Sequence, residues 1–135
     1  MMDELKHRYA HVEFKGMCDM DKHWQDIRVV VMPSRFEGLP LAALEAMARG
    51  IPVIASTAGG LPELITACRV GKSIDLKQVE DFQSEIEKIM LQDNNSYLTQ
   101  GKKLISYIDE SFSRRINIPQ IITQYKLALK SNDIN

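Results

Sequence analysis

The sequence predicts an α/β fold in which a parallel sheet is flanked by helices and followed by a C-terminal helical tail. Two short apolar runs, residues 29–32 and 51–55, have the composition of strands that are covered on both faces. Segments with helical spacing alternate with these runs, and such alternation implies right-handed crossovers between parallel strands. After residue 77 the strand-like runs cease and three helical patterns follow.

Length and composition exclude several classes of protein. A chain of 135 residues suits one domain, and its net charge of −1 argues against a dedicated nucleic-acid binder. Cys18 and Cys68 lie in different predicted elements and are expected to be free thiols. The first ten residues are charged, and no apolar run approaches the roughly 18 residues of a membrane span. We therefore expect a cytoplasmic protein and leave open a peripheral attachment to the inner face of a membrane.

The segments before the central strand are short. Residues 1–10 are polar and are predicted to be helical, and residues 11–14 alternate like a short strand that ends in a turn at Lys15-Gly16. Asp19 is placed to cap a helix that extends to about residue 26. The strand at residues 29–32 then ends at Pro33.

The later segments continue the alternation. Pro40 suits the first position of a helix that ends at Gly50, and the strand at 51–55 follows. A short helix at 61–66 and a weak strand at 70–74 come next. Three helices are predicted to start at about residues 77, 96 and 117, with Pro119 in the first turn of the last one, and their apolar stripes are expected to face the core.

The stretch between the first two buried strands has the features of a ligand site. The loop at residues 34–39 follows the carboxyl end of a strand, where open α/β sheets bind ligands. The next helix offers unpaired N–H groups at its start, and these suit a phosphate. Gly38 allows a ligand to approach the backbone closely. Glu37 and Glu45 can accept hydrogen bonds from sugar or ribose hydroxyls.

This stretch resembles the donor-sugar site of the retaining glycosyltransferases of family 4, also called group 1. The signature of that family is a pair of glutamates separated by seven residues, which is matched here by Glu37 and Glu45 within PSRFEGL and EAMARGIPV, followed by GGLPEL at 59–64. The resemblance covers residues 29–65 most specifically. It implies that residues 1–135 form a single, incomplete, Rossmann-like domain that binds a nucleotide-sugar, corresponding to a truncated C-terminal domain of the two-domain GT-B architecture.

The resemblance also implies roles for individual residues. Glu37 would contact the donor sugar and its reacting centre as the catalytic carboxylate, and Glu45 would bind the ribose hydroxyls. The remaining substrate-binding residues implied are Ser34, Gly38, Leu39, Pro40, Gly59 and Gly60. The donor would be a nucleotide diphosphate-sugar, with no cofactor and no metal. His7 and His11 are four residues apart, but no acid or cysteine completes a metal site.

The complete enzyme implied by the resemblance transfers a hexose, with retention, to a glycan or a lipid-linked acceptor, as in the synthesis of bacterial polysaccharides such as lipopolysaccharide. Its acceptor-binding N-terminal domain and two strands of this domain would lie outside the sequence. We therefore expect the chain alone to be inactive, and its sheet to expose an edge, to re-pair, or to be completed by another chain or in a homodimer. Two alternatives stay open: a non-catalytic remnant that binds a nucleotide-sugar or a protein, and a nucleotide-sugar epimerase of the same fold.

Overall fold

A computed structural model describes residues 8–132, with side chains described as far as residue 129. It contains a parallel sheet of three strands: β1 (Val30–Met32), β2 (Val53–Ser56) and β3 (Lys72–Ile74), with β2 in the centre. Helix α1 (Leu41–Ala48) connects β1 to β2, and helix α2 (Leu61–Cys68) connects β2 to β3. The predicted α/β class with a parallel sheet flanked by helices is thus confirmed.

The central strand is buried on both faces, as its unbroken apolar run predicts. All four residues of β2 are buried. Val53 and Ala55 join one core cluster with the apolar sides of α1 and α2, whereas Ile54 faces a second cluster with Ile74. This division follows from the strand geometry, in which successive side chains point to opposite faces of the sheet.

Three further helices complete the chain: α3 (Val79–Leu91), α4 (Asn94–Phe112) and α5 (Arg114–Asn132). Phe82 and Ile89 of α3 cover the Ile54 face of the sheet, and Leu104 of α4 is fully buried in the other cluster. Helix α4 approaches the end of α1 closely, because a Cβ atom on Gly101 would lie only 3.0 Å from the carbonyl oxygen of Gly50.

A single arginine ties the turn between α3 and α4 to the start of β1. The guanidinium of Arg28 donates hydrogen bonds to the carbonyl oxygens of Ile89, at 3.2 Å, and Gln92, at 2.6 Å. It also stacks on the ring of Tyr97 at 4.3 Å, while the Tyr97 hydroxyl donates to the Arg28 carbonyl at 2.9 Å. A cation at the carboxyl end of a helix is favourably placed against the helix dipole. We call this arrangement the Arg28 clamp.

Two predictions for the start of the chain are wrong. Residues 11–14 do not form a strand, since a strand needs a neighbour for its N–H and C=O groups and no described strand offers one. The helix expected up to residue 26 is divided into two 3-10 helices, Met20–Lys22 and Trp24–Asp26, although Asp19 does cap the first by accepting from the Asp21 N–H. The helix predicted for residues 1–10 lies largely outside the described residues.

The outer edge of β1 is open within the described residues, because β2 is the one strand that pairs with it there. Completion of this edge by another chain or in a homodimer stays a prediction. Val31 on this strand is 38% exposed.

Helix α5 differs from its prediction in two ways. It begins at Arg114, so that Pro119 lies inside the helix and not in its first turn. Its apolar side chains, expected in the core, are exposed: Ile118, Ile121, Ile122, Tyr125 and Leu129. The expectation fails because α5 packs against α4 and no other described layer covers its apolar side chains. None of the helices in residues 8–132 is both long enough and apolar enough to cross a membrane.

Candidate functional site

The loop from Pro33 to Pro40 joins the carboxyl end of β1 to the start of α1. Pro40 stands just before the helix, with φ −71° and ψ 127°, and its carbonyl oxygen accepts the N–H groups of Ala43 and Leu44. The helix therefore begins one residue later than the sequence predicts. The N–H groups of Leu41 and Ala42 precede these first bonds of the helix and have no acceptor within it, so they suit an anion at this end of α1.

The carboxylate of Glu37 is held by a neighbouring side chain. The hydroxyl of Ser34 donates a hydrogen bond of 2.9 Å to Oε1 of Glu37, and both residues are half-buried. An ionised carboxylate has about four acceptor positions on its two oxygens, so one such bond leaves room for the hydroxyls of a ligand. Ser34 was predicted to contact a substrate, whereas its hydroxyl is directed to Glu37.

The loop that follows β2 supports the loop that carries Glu37. The Gly60 N–H donates to the carbonyl oxygen of Gly38 at 2.8 Å. Gly59 has φ +55°, and a Cβ atom there would lie 1.7 Å from the carbonyl oxygen of Glu37. Only glycine allows this conformation together with this close approach. The sequence reasoning assigned the amides of both glycines to a ligand, but the Gly60 amide is already used to hold the loop that carries Glu37.

A cavity of about 460 Å³ opens beside the Glu37 loop. The predicted residues at its wall are Glu37, Gly38, Leu39, Gly59 and Gly60, and the others come from α2 and α4: Glu63, Leu64, Ala67, Tyr107 and Phe112. A concavity of about 540 Å³ is lined by residues of α5 alone, so its walls come from a single helix. The Glu37 cavity combines backbone, carboxylate and apolar walls.

The aromatic wall of the cavity was not identified as part of the site from the sequence. Tyr107 and Phe112 form an edge-to-face pair with ring centres 5.9 Å apart. Burial raises the pKa of the Tyr107 phenol, and electrostatic interactions with Cys68 and Glu63 raise this pKa further. The available signal was weak, because aromatic residues in a helical segment look like ordinary core residues in a single sequence.

Three predicted residues do not line this cavity: Ser34, Pro40 and Glu45. Ser34 contacts Glu37, and Pro40 stands just before the first residue of α1, as described above. The Glu45 side chain is exposed in the second turn of α1, and its carbonyl oxygen accepts a hydrogen bond of 3.1 Å from Arg49. Its role toward a ribose stays a prediction. In the part of the chain that the structure describes, no group of three or more His, Cys, Asp or Glu residues could hold a metal ion.

Comparison with known proteins identifies a protein family over much of the chain. The family described as "Glycosyl transferases group 1" matches residues 1–92. A sulfoquinovosyl transferase of Arabidopsis thaliana is 43% identical over 61 residues, which are 45% of this chain and 12% of that protein. An uncharacterised glycosyltransferase of Methanocaldococcus jannaschii is 30% identical over 116 residues, which are 84% of this chain and 31% of that protein.

A solved structure resembles the whole fold. The sucrose-phosphate synthase of Thermosynechococcus elongatus matches with a TM-score of 0.81 and 26% identity, over 96% of this chain and 34% of that one. The chain thus spans about a third or less of the length of these three relatives. From the family match and the shared fold, we conclude that the chain belongs to the group 1 glycosyl transferases and has the fold of the corresponding part of a GT-B enzyme.

Proposed function

We propose that this chain is the donor-binding part of a glycosyltransferase and binds a nucleotide diphosphate-sugar at the Glu37 loop. The observation that carries the proposal is the Glu37 carboxylate, held at 2.9 Å by Ser34 beside a cavity at the carboxyl end of a parallel strand. A fixed carboxylate suits the hydroxyls of a sugar, and the first turn of α1 suits a diphosphate.

In this proposal each predicted residue has a defined task. Glu37 accepts hydrogen bonds from the transferred hexose and stabilises the positive charge that develops at its anomeric carbon. The backbone at Gly38 and Leu39 lies beside the sugar and the diphosphate. Glu45 accepts hydrogen bonds from the ribose hydroxyls, as its exposed position on α1 allows. No metal and no cofactor take part.

The reaction proposed for the complete protein is hexose transfer with retention. The bond between the anomeric carbon and the diphosphate oxygen breaks, and a bond to the acceptor oxygen forms on the same face of the sugar. The acceptor hydroxyl gives its proton to the departing diphosphate oxygen. The acceptor, a glycan or a lipid-linked saccharide, would be bound by residues outside this chain, in the cytoplasm or at a membrane surface.

Binding is tested by NMR titration of the 135-residue chain with UDP-glucose and, separately, GDP-mannose. We expect one of these donors to shift the amide signals of residues 37–45. Glu45→Ala is expected to weaken that response about tenfold or more, because a charged hydrogen bond to a hydroxyl is lost. Glu80→Ala, which removes an exposed acid from the first turn of α3, is the matched control and should leave the response unchanged.

The outcomes separate the proposal from its alternatives. Shifts confined to other surfaces, or none with either donor at saturation, would refute donor binding at this site. Binding of the donor by the complete protein without transfer to any acceptor would favour the non-catalytic remnant. Conversion of the nucleotide-sugar to its epimer would favour an epimerase of the same fold.

A further inference from the structure

Three serines form a continuous series of hydrogen bonds that ends on the candidate catalytic carboxylate. The Ser73 hydroxyl of β3 donates to the carbonyl oxygen of Ser56 at 3.2 Å. The Ser56 hydroxyl of β2 donates in turn to the carbonyl oxygen of Ser34 at 2.5 Å. The Ser34 hydroxyl donates to Glu37 at 2.9 Å. The series crosses the sheet from one edge strand to the loop of the other.

Ser56 is the unusual member, because it is polar and only 1% exposed in an otherwise apolar strand. Burying a hydroxyl without a hydrogen bond costs free energy, so the buried Ser56 hydroxyl needs an acceptor. Its partner is the carbonyl of Ser34, two residues beyond the end of β1.

The reason for that partner lies in the end of the β1–β2 ladder. The last backbone pair between the two strands is Met32 with Ala55. Strand β1 ends at Met32, and no further backbone pair joins the two strands beyond this point. Beyond this point the Ser56 side chain takes the place of a backbone donor and holds the loop to the sheet.

Fixing the Ser34 backbone also fixes its side chain. Since the Ser34 hydroxyl is the described contact to the Glu37 carboxylate, a shift of the Ser34 backbone moves the atom that orients that carboxylate. Carboxylates act on a transition state only when they are held in place before the reaction. We propose that Ser56 is a positioning residue, which orients Glu37 through the Ser34 backbone, with Ser73 as an outer support; this inference rests on the proposed function of Glu37.

The first measurement needs no ligand and tests positioning alone. In Ser56→Ala, we expect the Gly60 amide, which donates to Gly38 in the same loop, to exchange with deuterium about tenfold faster relative to the Ile54 amide of β2. Ser106→Ala is the matched control, because it removes another serine-to-glutamate hydrogen bond, to Glu110, far along α4. An unchanged Gly60 rate in folded Ser56→Ala would overturn the proposal.

The second measurement tests whether Ser56 acts through Ser34. With the donor that shifts residues 37–45, Ser56→Ala and Ser34→Ala should each weaken binding about threefold or more, and the double variant should be no weaker than Ser34→Ala. Additive losses would show that Ser56 acts independently of Ser34 and would refute the proposal. If Ser56→Ala fails to fold, Ser56→Cys keeps the volume with a weaker donor and undergoes the same two tests.

The two proposals fail in different ways. If the wild-type chain binds neither donor while Ser56→Ala still loosens the Gly60 amide, donor binding is refuted and the support of the loop by Ser56 stands. If the donor binds and neither the exchange rate nor the affinity responds to Ser56→Ala, the positioning role is refuted and donor binding stands.

Discussion

The contact between the two loops of the site gives the sharpest prediction, which is made with Gly59→Ala. At φ +55°, a residue with a Cβ atom costs about 1–2 kcal/mol relative to glycine. The new Cβ would also lie 1.7 Å from the carbonyl oxygen of Glu37, so that the loop must move. Overpacking of this kind typically costs about 1–3 kcal/mol. We therefore expect the free energy of unfolding to fall by about 2–5 kcal/mol in total.

Two other glycines separate these contributions. Gly16 has φ +66° but nothing within 4 Å of the position of a Cβ atom, so Gly16→Ala should show the backbone cost alone. Gly38 has neither a positive φ nor a neighbour within 4 Å, and Gly38→Ala should change stability by less than about 0.5 kcal/mol. The order of destabilisation should thus be Gly59→Ala, Gly16→Ala, Gly38→Ala.

The assay is urea unfolding followed by circular dichroism, with the midpoint and the slope fitted separately. A fall in the midpoint at constant slope reports a loss of stability without a change in the surface exposed on unfolding. If Gly59→Ala lost no more stability than Gly16→Ala, the close approach of the Gly59 loop to Glu37 would be refuted. Accelerated exchange of the Gly60 amide in Gly59→Ala would locate the damage in the same loop.

Two further predictions concern the Arg28 clamp and the ion pairs of Glu85, which both lie away from the Glu37 cavity. Arg28→Ala should lower the free energy of unfolding by about 2–3 kcal/mol, because it removes the Arg28 clamp. Arg35→Ala, at an exposed position, is the control and should cost less than about 0.5 kcal/mol. Equal urea midpoints for the two variants would contradict the role of the clamp. Burial raises the pKa of Glu85, but its bonds to Lys88 and Lys72, at 2.6 and 3.0 Å, outweigh burial and lower the pKa below its usual value. A lowered folded pKa stabilises the protein above the unfolded pKa of about 4.3 and ceases to do so as the pH falls through the folded value. Glu85→Gln should therefore lose stability at pH 7 but little at pH 3, and equal losses at both would contradict the assignment.

The sequence identified the central strand, loop and helix well because their local signals agree. An unbroken apolar run, a proline at each end of the loop and a terminal glycine all favour the same boundaries, and the structure places β1 and α1 within about two residues of them. The position of the cavity beside the Glu37 loop could not be predicted. Two of its wall residues, Tyr107 and Phe112, belong to a helix about 70 residues later in the chain.

The failures share a physical cause, which is the absence of a partner surface. The alternation at residues 11–14 favours a strand, but a strand forms only against another strand. The stripe of α5 has helical spacing and the helix does form, yet spacing says nothing about what will cover it. The serine series is missed for a different reason, because Ser56 and Ser73 look like interruptions of apolar strands until their partners across the sheet are known.

Pro119 lowers the stability of the C-terminal helix α5. The proline has no N–H for the carbonyl oxygen of Arg115, and an interior proline costs a helix about 3 kcal/mol. With its apolar side chains in water, α5 has little burial to offset this loss. The turns after Pro119 should hence open on a faster timescale than the sheet. Since the cavity wall ends at Phe112, the last residue of α4, this fraying leaves the Glu37 site intact.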